Sequence, residues 1–262
     1  MKSTLISITV FLFAFSSIAV SQKTVVTTKI HGQEYSLATA DGLKLYAWLT
    51  PSPHENAPLV VLLPMMGNTH HSYSPFIKAV FERFKTPDST RTMQAIPHFL
   101  SLDLRGHGQS TQMGEKTLNY RMMEPEDFAP YPSDVKAMIE KVLGDKKVSI
   151  DRQNIIIIGA SIGANSSVMA AETLTSVKKV VMLSPGESYR QLEPGPSLAK
   201  FAGEVLILAG MDDAYSKTSS EKLAALKKSG CTLKTYPGPY HGTDLIDNSP
   251  EAMKLLIDWL VN

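Results

Sequence analysis

The chain has few of the residues on which several classes of protein depend. Cys231 is its only cysteine, so no internal disulfide can form. Lysine and arginine total 26 against 25 acidic residues, and this balance, without a basic cluster, argues against nucleic acid as a partner. His70 and His71 are adjacent but lack other clear ligands nearby. We therefore predict neither a metal site nor a cofactor.

The sequence also lacks an apolar run near the N-terminus that is long enough to cross a bilayer. The segment Leu5 to Phe15 is well short of the roughly 20 residues that such a span needs. Because it follows Lys2 and precedes small residues at Ala19 and Ser21, it predicts a secretory signal peptide over residues 1–21. We expect a secreted or periplasmic protein without stable membrane insertion. Residues 22–262 have the size of a single α/β domain.

Apolar runs alternate with segments of helical spacing along most of the chain. The runs are Leu59 to Leu63, Phe99 to Leu102, Ile155 to Ile158, Val180 to Leu183 and Val205 to Ala209. The helical segments are Pro75 to Phe84, Ser133 to Leu143, Ile162 to Leu174, Ser219 to Lys228 and Pro250 to Leu260. Near-continuous apolar runs are typical of strands buried on both faces. The alternation therefore predicts an α/β fold with a mainly parallel central sheet and helices on both faces.

Two further stretches depart from this alternation. Residues Thr24 to Thr50 alternate between apolar and polar positions around Asp41 and Gly42, which predicts an antiparallel hairpin at the edge of the sheet. The segment from Gln109 to Pro132 has no regular pattern and is the longest predicted loop.

A serine stands between two glycines directly after one of the apolar runs. Gly159, Ala160, Ser161, Ile162 and Gly163 follow Ile158 and open a helical segment. A sharp strand-to-helix turn of this kind lifts the serine hydroxyl out of the backbone, and a Cβ at either glycine would collide with the neighbouring strand or helix. Ser161 could instead cap the helix. A glycine would be needed at this position for a dinucleotide-binding turn, so that function is excluded.

Nucleophilic attack by a serine needs a histidine as base and a carboxylate to orient it. In a chain with this order of elements, both should follow the serine. Asp212 and Asp213 come directly after the predicted strand that ends at Ala209, and His241 follows the last short strand, Thr232 to Thr235. The carboxyl ends of parallel strands meet at one edge of the sheet, where functional residues are expected. The residues alone leave the choice between the two aspartates open.

Together these residues make the chain resemble the α/β-hydrolases of the serine esterase type, over essentially all of residues 22–262. The resemblance includes the turn from Asp103 to Gly108, which reads DLRGHG. It implies that Ser161 is the nucleophile and His241 the base. In similar proteins the acid stands three residues beyond the glycine that ends its strand, which selects Asp213 over Asp212. Glu187, after the preceding strand, is a less favoured alternative.

The resemblance also implies two backbone donors for a developing oxyanion, one from Ile162 and one from Met66. Similar proteins usually carry a His-Gly pair before the second donor, whereas this chain has Pro64 and Met65 there. We assign Met65 and Gly67 to the substrate pocket. The methionines either pack in the core or form a pliable apolar wall for an acyl chain.

Large lids in this fold usually lie before the strand that carries the acid, where this chain has only residues 184–203. The sequence therefore predicts no cap domain, and an open site suits a small-molecule ester with a short to medium acyl chain. A thioesterase, an acyltransferase or a peptidase would use the same acyl-enzyme. Since Pro64 and Met65 depart from the family pattern, a binding protein without turnover is the alternative from another class.

Overall fold

The computed structural model describes residues 32–85 and 92–262, and the predicted signal peptide lies outside these ranges. The strands in this part of the chain are β1 (Gln33–Ala38), β2 (Lys44–Thr50), β3 (Ala57–Leu63), β4 (His98–Asp103), β5 (Gln112–Met113), β6 (Lys116–Thr117), β7 (Ile150–Ala160), β8 (Val177–Leu183), β9 (Glu204–Gly210) and β10 (Cys231–Tyr236). The α-helices are α1 (Ser74–Lys85), α2 (Tyr131–Leu143), α3 (Ile162–Ala171), α4 (Gly195–Lys200), α5 (Ala214–Leu226), α6 (Thr243–Asn248) and α7 (Pro250–Val261).

Eight of these strands form one mixed sheet in the order β1-β2-β4-β3-β7-β8-β9-β10. Strand β2 pairs antiparallel with both β1 and β4, and every other pair in this sheet is parallel. The turn between β1 and β2 contains Gly42 at a positive φ of 86°, which a residue with a side chain rarely adopts. The predicted α/β fold with an antiparallel N-terminal hairpin is confirmed. The part of that predicted hairpin before Gly32 lies outside the described residues.

The core lies on both sides of the sheet because successive strand residues point to opposite faces. In β3, Leu59, Val61 and Leu63 belong to the buried cluster that contains residues of α2, α3, α4 and α5, whereas Val60 and Leu62 belong to the cluster with residues of α1, α6 and α7. All five side chains are fully buried. This arrangement explains the unbroken apolar runs in the sequence. No helix in residues 32–85 or 92–262 is both long and apolar enough to cross a bilayer.

The structure corrects several predicted boundaries. Helix α3 ends at Ala171 rather than Leu174, and α5 begins at Ala214 rather than Ser219 because Asp213 caps it. Two short helices, α4 and α6, were not predicted. The predicted loop from Gln109 to Pro132 holds the two-residue strands β5 and β6 and two 3-10 turns, and its end forms the first turn of α2.

The turn after β4 is held by polar contacts to the buried Arg105, one with the buried Asp134 and one with the exposed Asp41. Arg105 pairs with Asp134 of α2 and with Asp41 of the β1–β2 turn. The guanidinium lowers the pKa of Asp41 to about 2, whereas burial raises the pKa of Asp134. His107 bonds through Nδ1 to the Arg105 carbonyl at 3.0 Å, a contact within the same turn. These contacts fix the hairpin and α2 to the centre of the sheet.

His98, at the start of β4, is buried and held in its neutral form. Its Nδ1 accepts from the Ser52 N–H at 3.0 Å, and its Nε2–H donates to the Ser149 carbonyl at 3.1 Å. A second ring proton would face the Ser52 N–H, and burial lowers the pKa of His98. Protonation of His98 therefore disfavours the folded state.

Candidate active site

Ser161 lies at the turn between β7 and α3, at the carboxyl edge of the sheet. Its backbone has φ 52° and ψ −115°, a conformation that costs energy for a residue with a Cβ. The Ser161 N–H donates to the Leu183 carbonyl of β8 at 2.8 Å, which anchors the turn. Although Ser161 occupies the N-cap position of α3, its hydroxyl makes no capping hydrogen bond. The hydroxyl is therefore directed elsewhere.

The two glycines of the motif allow this turn to pack. A Cβ at Gly159 would lie 2.1 Å from the Gly163 carbonyl oxygen, and a Cβ at Gly163 would lie 2.6 Å from the carbonyl oxygens of Leu63 and Pro64. Real Cβ atoms essentially never approach backbone so closely. Both glycines are thus required by close packing, one against the helix and the other against the end of β3. The second contact brings the segment after β3 next to the serine.

The loops after β9 and β10 bring the acid and the histidine together. These strands are parallel neighbours, and the Met211 N–H donates to the Tyr236 carbonyl at 2.7 Å. A Cβ on Gly210 would lie 2.6 Å from the Tyr240 carbonyl oxygen, so glycine permits the close approach of the two loops. Residues about 30 positions apart in sequence therefore meet at one edge of the sheet.

The three side chains form a continuous hydrogen-bonded line. His241 Nδ1 lies 2.6 Å from Asp213 Oδ2, and His241 Nε2 lies 2.8 Å from Ser161 Oγ. A carboxylate only accepts, so Nδ1 carries the proton and Nε2 is free to accept from the serine hydroxyl. Asp212 is exposed and makes no side-chain hydrogen bond within the described ranges. The structure thus brings Asp213 rather than Asp212 to the histidine.

Ser216 is a neighbour of His241 that sequence reasoning missed. It is fully buried in the first turn of α5, and its Oγ lies 3.3 Å from His241 Nδ1 and 3.4 Å from the Ser184 carbonyl oxygen. Its hydroxyl can donate to the carbonyl and accept a weaker share of the Nδ1 proton. The signal that could have found it is a serine three residues after Asp213, but only once α5 is known to begin there.

Two backbone N–H groups next to Ser161 have no acceptor among the residues that the structure describes. Ile162 is the first residue of α3, a position for which the helix itself offers no acceptor. The Met66 N–H bonds to no group in residues 32–85 or 92–262. Both groups lie beside the serine because Gly163 packs directly against Leu63 and Pro64.

A cavity of about 310 Å³ opens beside the Ser161 hydroxyl. Met65 and Met66 contribute to its apolar wall, together with Ile162 and two tyrosines. Its full lining is Met65, Met66, Ser161, Ile162, Asn165, Ser184, Gly186, Tyr189, Tyr215, Ser216 and His241.

Gly67 does not line this cavity, contrary to its assignment to the substrate pocket. It is exposed and lines a separate surface depression with Asn68, Thr69 and residues of α6. The physical reason is the positive φ of 85° at Gly67, which turns the chain away after Met66. The glycine faces Tyr120 instead, whose hydroxyl would lie 3.1 Å from a Cβ at that position.

The family model described as the alpha/beta hydrolase family matches residues 60–253. The chain belongs to this alpha/beta hydrolase family. The match contains the serine turn, both aspartates and His241. No curated protein sequence matches the chain.

Solved hydrolase structures share the fold at low sequence identity. A dienelactone hydrolase from Anabaena variabilis is 16% identical with a TM-score of 0.61, covering 87% of this chain and 94% of its own. Carboxyl esterase 2 from the fungus Tuber melanosporum is 15% identical with a TM-score of 0.64, covering 89% and 87%. A 2,6-dihydroxy-pseudo-oxynicotine hydrolase is 14% identical with a TM-score of 0.69, covering 88% and 68%. At these identities the likeness establishes the alpha/beta hydrolase fold.

The two adjacent histidines of this alpha/beta hydrolase, His70 and His71, contact a carboxylate and an aromatic ring. His70 Nδ1 lies 2.9 Å from the buried carboxylate of Asp103, and its ring stacks on Trp48 at 3.8 Å. The ring of His71 contacts His70 at the same centroid distance. Across residues 32–85 and 92–262, no group of three or more potential ligands is placed to hold a metal ion.

Proposed function

We propose that the protein is a serine hydrolase that cleaves carboxylic esters of short to medium acyl chains. The observation that carries this proposal is the hydrogen-bonded line from Asp213 through His241 to Ser161, which ends at an apolar cavity. A nucleophile, a base and an orienting group within hydrogen-bond distance are the arrangement that acyl transfer needs.

In the proposed reaction, the Ser161 oxygen attacks the carbonyl carbon of the ester while His241 Nε2 takes the hydroxyl proton. The N–H groups of Met66 and Ile162 donate to the resulting oxyanion, and loss of one such donor typically costs about 3 kcal/mol of barrier. His241 then passes the proton to the leaving alcohol, and the acyl group stays on Ser161. A water molecule, deprotonated by His241, releases the acid and restores the serine.

Asp213 has a defined part in this reaction. Its carboxylate accepts the Nδ1 proton, so Nε2 keeps the lone pair that the serine proton needs. It also stabilises the imidazolium that forms when His241 takes that proton. Ser216, which touches no reacting atom, helps to hold the same face of the ring.

The size and lining of the cavity support a small acyl group. At about 310 Å³ it lies near the lower end of the roughly 300–1,000 Å³ that is usual for ligand pockets. Methionine and aromatic side chains dominate its wall, and these surfaces suit hydrocarbon. Two structural neighbours are a dienelactone hydrolase and a carboxyl esterase, and their names agree with an ester substrate.

Hydrolysis of p-nitrophenyl acetate and butyrate tests the proposal. The wild type should turn over both esters, and Ser161→Ala should abolish turnover and labelling by a fluorophosphonate. Ser167→Ala is the matched control, because Ser167 lies in the helix that follows Ser161 and, within the described part of the chain, its buried hydroxyl bonds only to the Ala164 carbonyl. Equal, slow rates in the wild type and Ser161→Ala would favour the binding-protein alternative.

We also propose that the chain is exported, with residues 1–21 removed and residues 22–262 forming the mature single domain. Expression of the full chain in a bacterial host, followed by N-terminal sequencing, tests this. Exported protein that begins at Gln22 is the expected result. Protein that stays in the cytoplasm and begins at Met1 would contradict it.

A further inference from the structure

We propose that Tyr189, held over the cavity by a tight hairpin, determines how long an acyl chain the site accepts. This inference rests on the proposed function and adds a specificity-determining residue to it. Tyr189 lines the cavity, and its hydroxyl contacts Met66 Sδ at 3.8 Å. The contact joins the loop after β3 to the loop after β8 at the rim of the cavity.

The hairpin has a conformation that its residues do not favour. Tyr189 and Leu192 pair through two backbone hydrogen bonds of 2.9 and 3.2 Å. The two residues between them, Arg190 and Gln191, have φ of 49° and 61°. A turn with two left-handed residues usually carries asparagine or glycine, so its formation by arginine and glutamine needs support from the surroundings.

The first part of that support comes from a neighbouring 3-10 turn. Gln191 Nε2 donates to Glu126 Oε1 at 2.7 Å, and the Arg190 guanidinium lies 5.4 Å from the centre of the Phe128 ring. Both partners belong to the 3-10 turn Pro125–Phe128, which leads into α2. Although Tyr189 and Gln191 are exposed, the hairpin therefore joins the cavity mouth to a separate part of the chain.

The hairpin is also fixed to the helix that follows the nucleophile. Asn165, one turn beyond Ser161, donates through Nδ2 to the Leu192 carbonyl at 3.0 Å and accepts at Oδ1 from the Gly186 N–H at 3.1 Å. Its side chain is fully buried, so these bonds are shielded from water. The position of Tyr189 is thus coupled to that of Ser161 through one amide.

A second tyrosine braces the same loop from the other side. Tyr215, two residues after Asp213, donates to the Ser188 carbonyl at 2.7 Å, and a Cβ on Gly186 would lie 3.0 Å from its ring. The backbone that carries Tyr189 is thus held on both sides, and its 38%-exposed side chain lies at the rim of the cavity. An acyl chain that fits the space between Ser161 and the Tyr189 ring binds, and a longer chain meets the ring.

The length dependence of hydrolysis tests this inference. The substrates are p-nitrophenyl esters from acetate to octanoate. Tyr189→Ala should raise the ratio of kcat/KM for octanoate to that for butyrate by roughly tenfold, because room for even one more methylene in an apolar pocket changes kcat/KM by about that factor or more. Tyr189→Phe keeps the ring and should keep the wild-type length profile. Tyr189→Trp should shift the profile toward acetate, which provides a second variant with the opposite expected result.

A second pair of changes separates the ring from the turn that carries it. The double variant Arg190→Asn with Gln191→Gly favours the same left-handed turn, so the length profile should stay unchanged. If the wild type, Tyr189→Ala and Tyr189→Trp showed the same dependence of kcat/KM on acyl length while turnover still required Ser161, the role of Tyr189 would be overturned and the proposed function would stand. Absence of Ser161-dependent turnover for every ester would instead overturn the proposed function, and this inference with it.

Discussion

Replacing Asp213 by asparagine tests the proposed chemistry at one atom. Asp213 Oδ2 lies 2.6 Å from His241 Nδ1 and accepts its proton. An amide NH₂ at that place would donate to Nδ1, so the ring proton would move to Nε2. There it would face Ser161 Oγ at 2.8 Å as a donor, where the reaction needs an acceptor. The geometry would survive while the proton would sit on the wrong nitrogen.

The expected loss is large because the variant inverts a required tautomer. A change of this kind lowers kcat by about four orders of magnitude in a serine protease, which corresponds to about 5 kcal/mol of barrier. Stability should change little, since asparagine caps a helix about as well as aspartate, and α5 starts at this residue. The expected change in the free energy of unfolding is below about 0.5 kcal/mol.

The assay is steady-state hydrolysis of p-nitrophenyl butyrate, with urea unfolding measured on the same samples. Asp212→Asn is the matched control, because Asp212 adjoins Asp213 but is exposed. It should keep kcat within about twofold, as surface changes usually cost less than about 0.5 kcal/mol. Equal losses in both variants, or a greater loss in Asp212→Asn, would refute the assignment of the acid.

Gly163→Ala should lower the free energy of unfolding by about 1–3 kcal/mol and reduce kcat, because the new Cβ would press on two backbone carbonyls beside the serine. Gly144→Ala is the control. Its Cβ would lie 3.4 Å from the nearest atoms, so urea unfolding and activity should change little. His98 has a lowered pKa in the folded state, so folding loses stability as the pH falls below about 6.5, where the unfolded chain binds the proton. Between pH 7 and pH 5, His98→Gln should reduce this fall in the free energy of unfolding by up to about 1.4 kcal/mol per pH unit, as measured by urea unfolding. The control is His54→Gln, at an exposed histidine, which should leave the pH dependence of stability unchanged. An unchanged slope in His98→Gln, or normal activity in Gly163→Ala, would contradict these assignments.

The sequence predicted the elements whose pattern is local and strong. Residues 155–158 are apolar because both faces of β7 are covered, and this produces a pattern that sequence alone reveals. The short helices α4 and α6 escaped prediction because six residues carry too little periodicity. The predicted start of α5, Ser219, is later than the observed start, Ala214. Asp213 is the N-cap of this helix, but the prediction assigns it only to the site, where it faces His241.

The residues alone do not separate Asp212 from Asp213, because the two have the same chemistry and adjacent positions. The family resemblance selects Asp213, and the structure brings that carboxylate to His241. The place of Gly67 needed the fold, because its positive φ takes it away from the cavity that Met66 lines. Ser216 carried no signal of its own.

Hydrophobic periodicity and glycine spacing act over a few residues, so the sequence alone predicts the layered α/β architecture and the sharp turn at Ser161. The hydrogen bond between Asp213 and His241, the neighbourhood of Ser216 and the place of the Tyr189 hairpin at the cavity arise only in the folded chain. These features depend on contacts between segments far apart in the chain. Their geometry is fixed by strand pairing and close backbone packing, which no local pattern encodes.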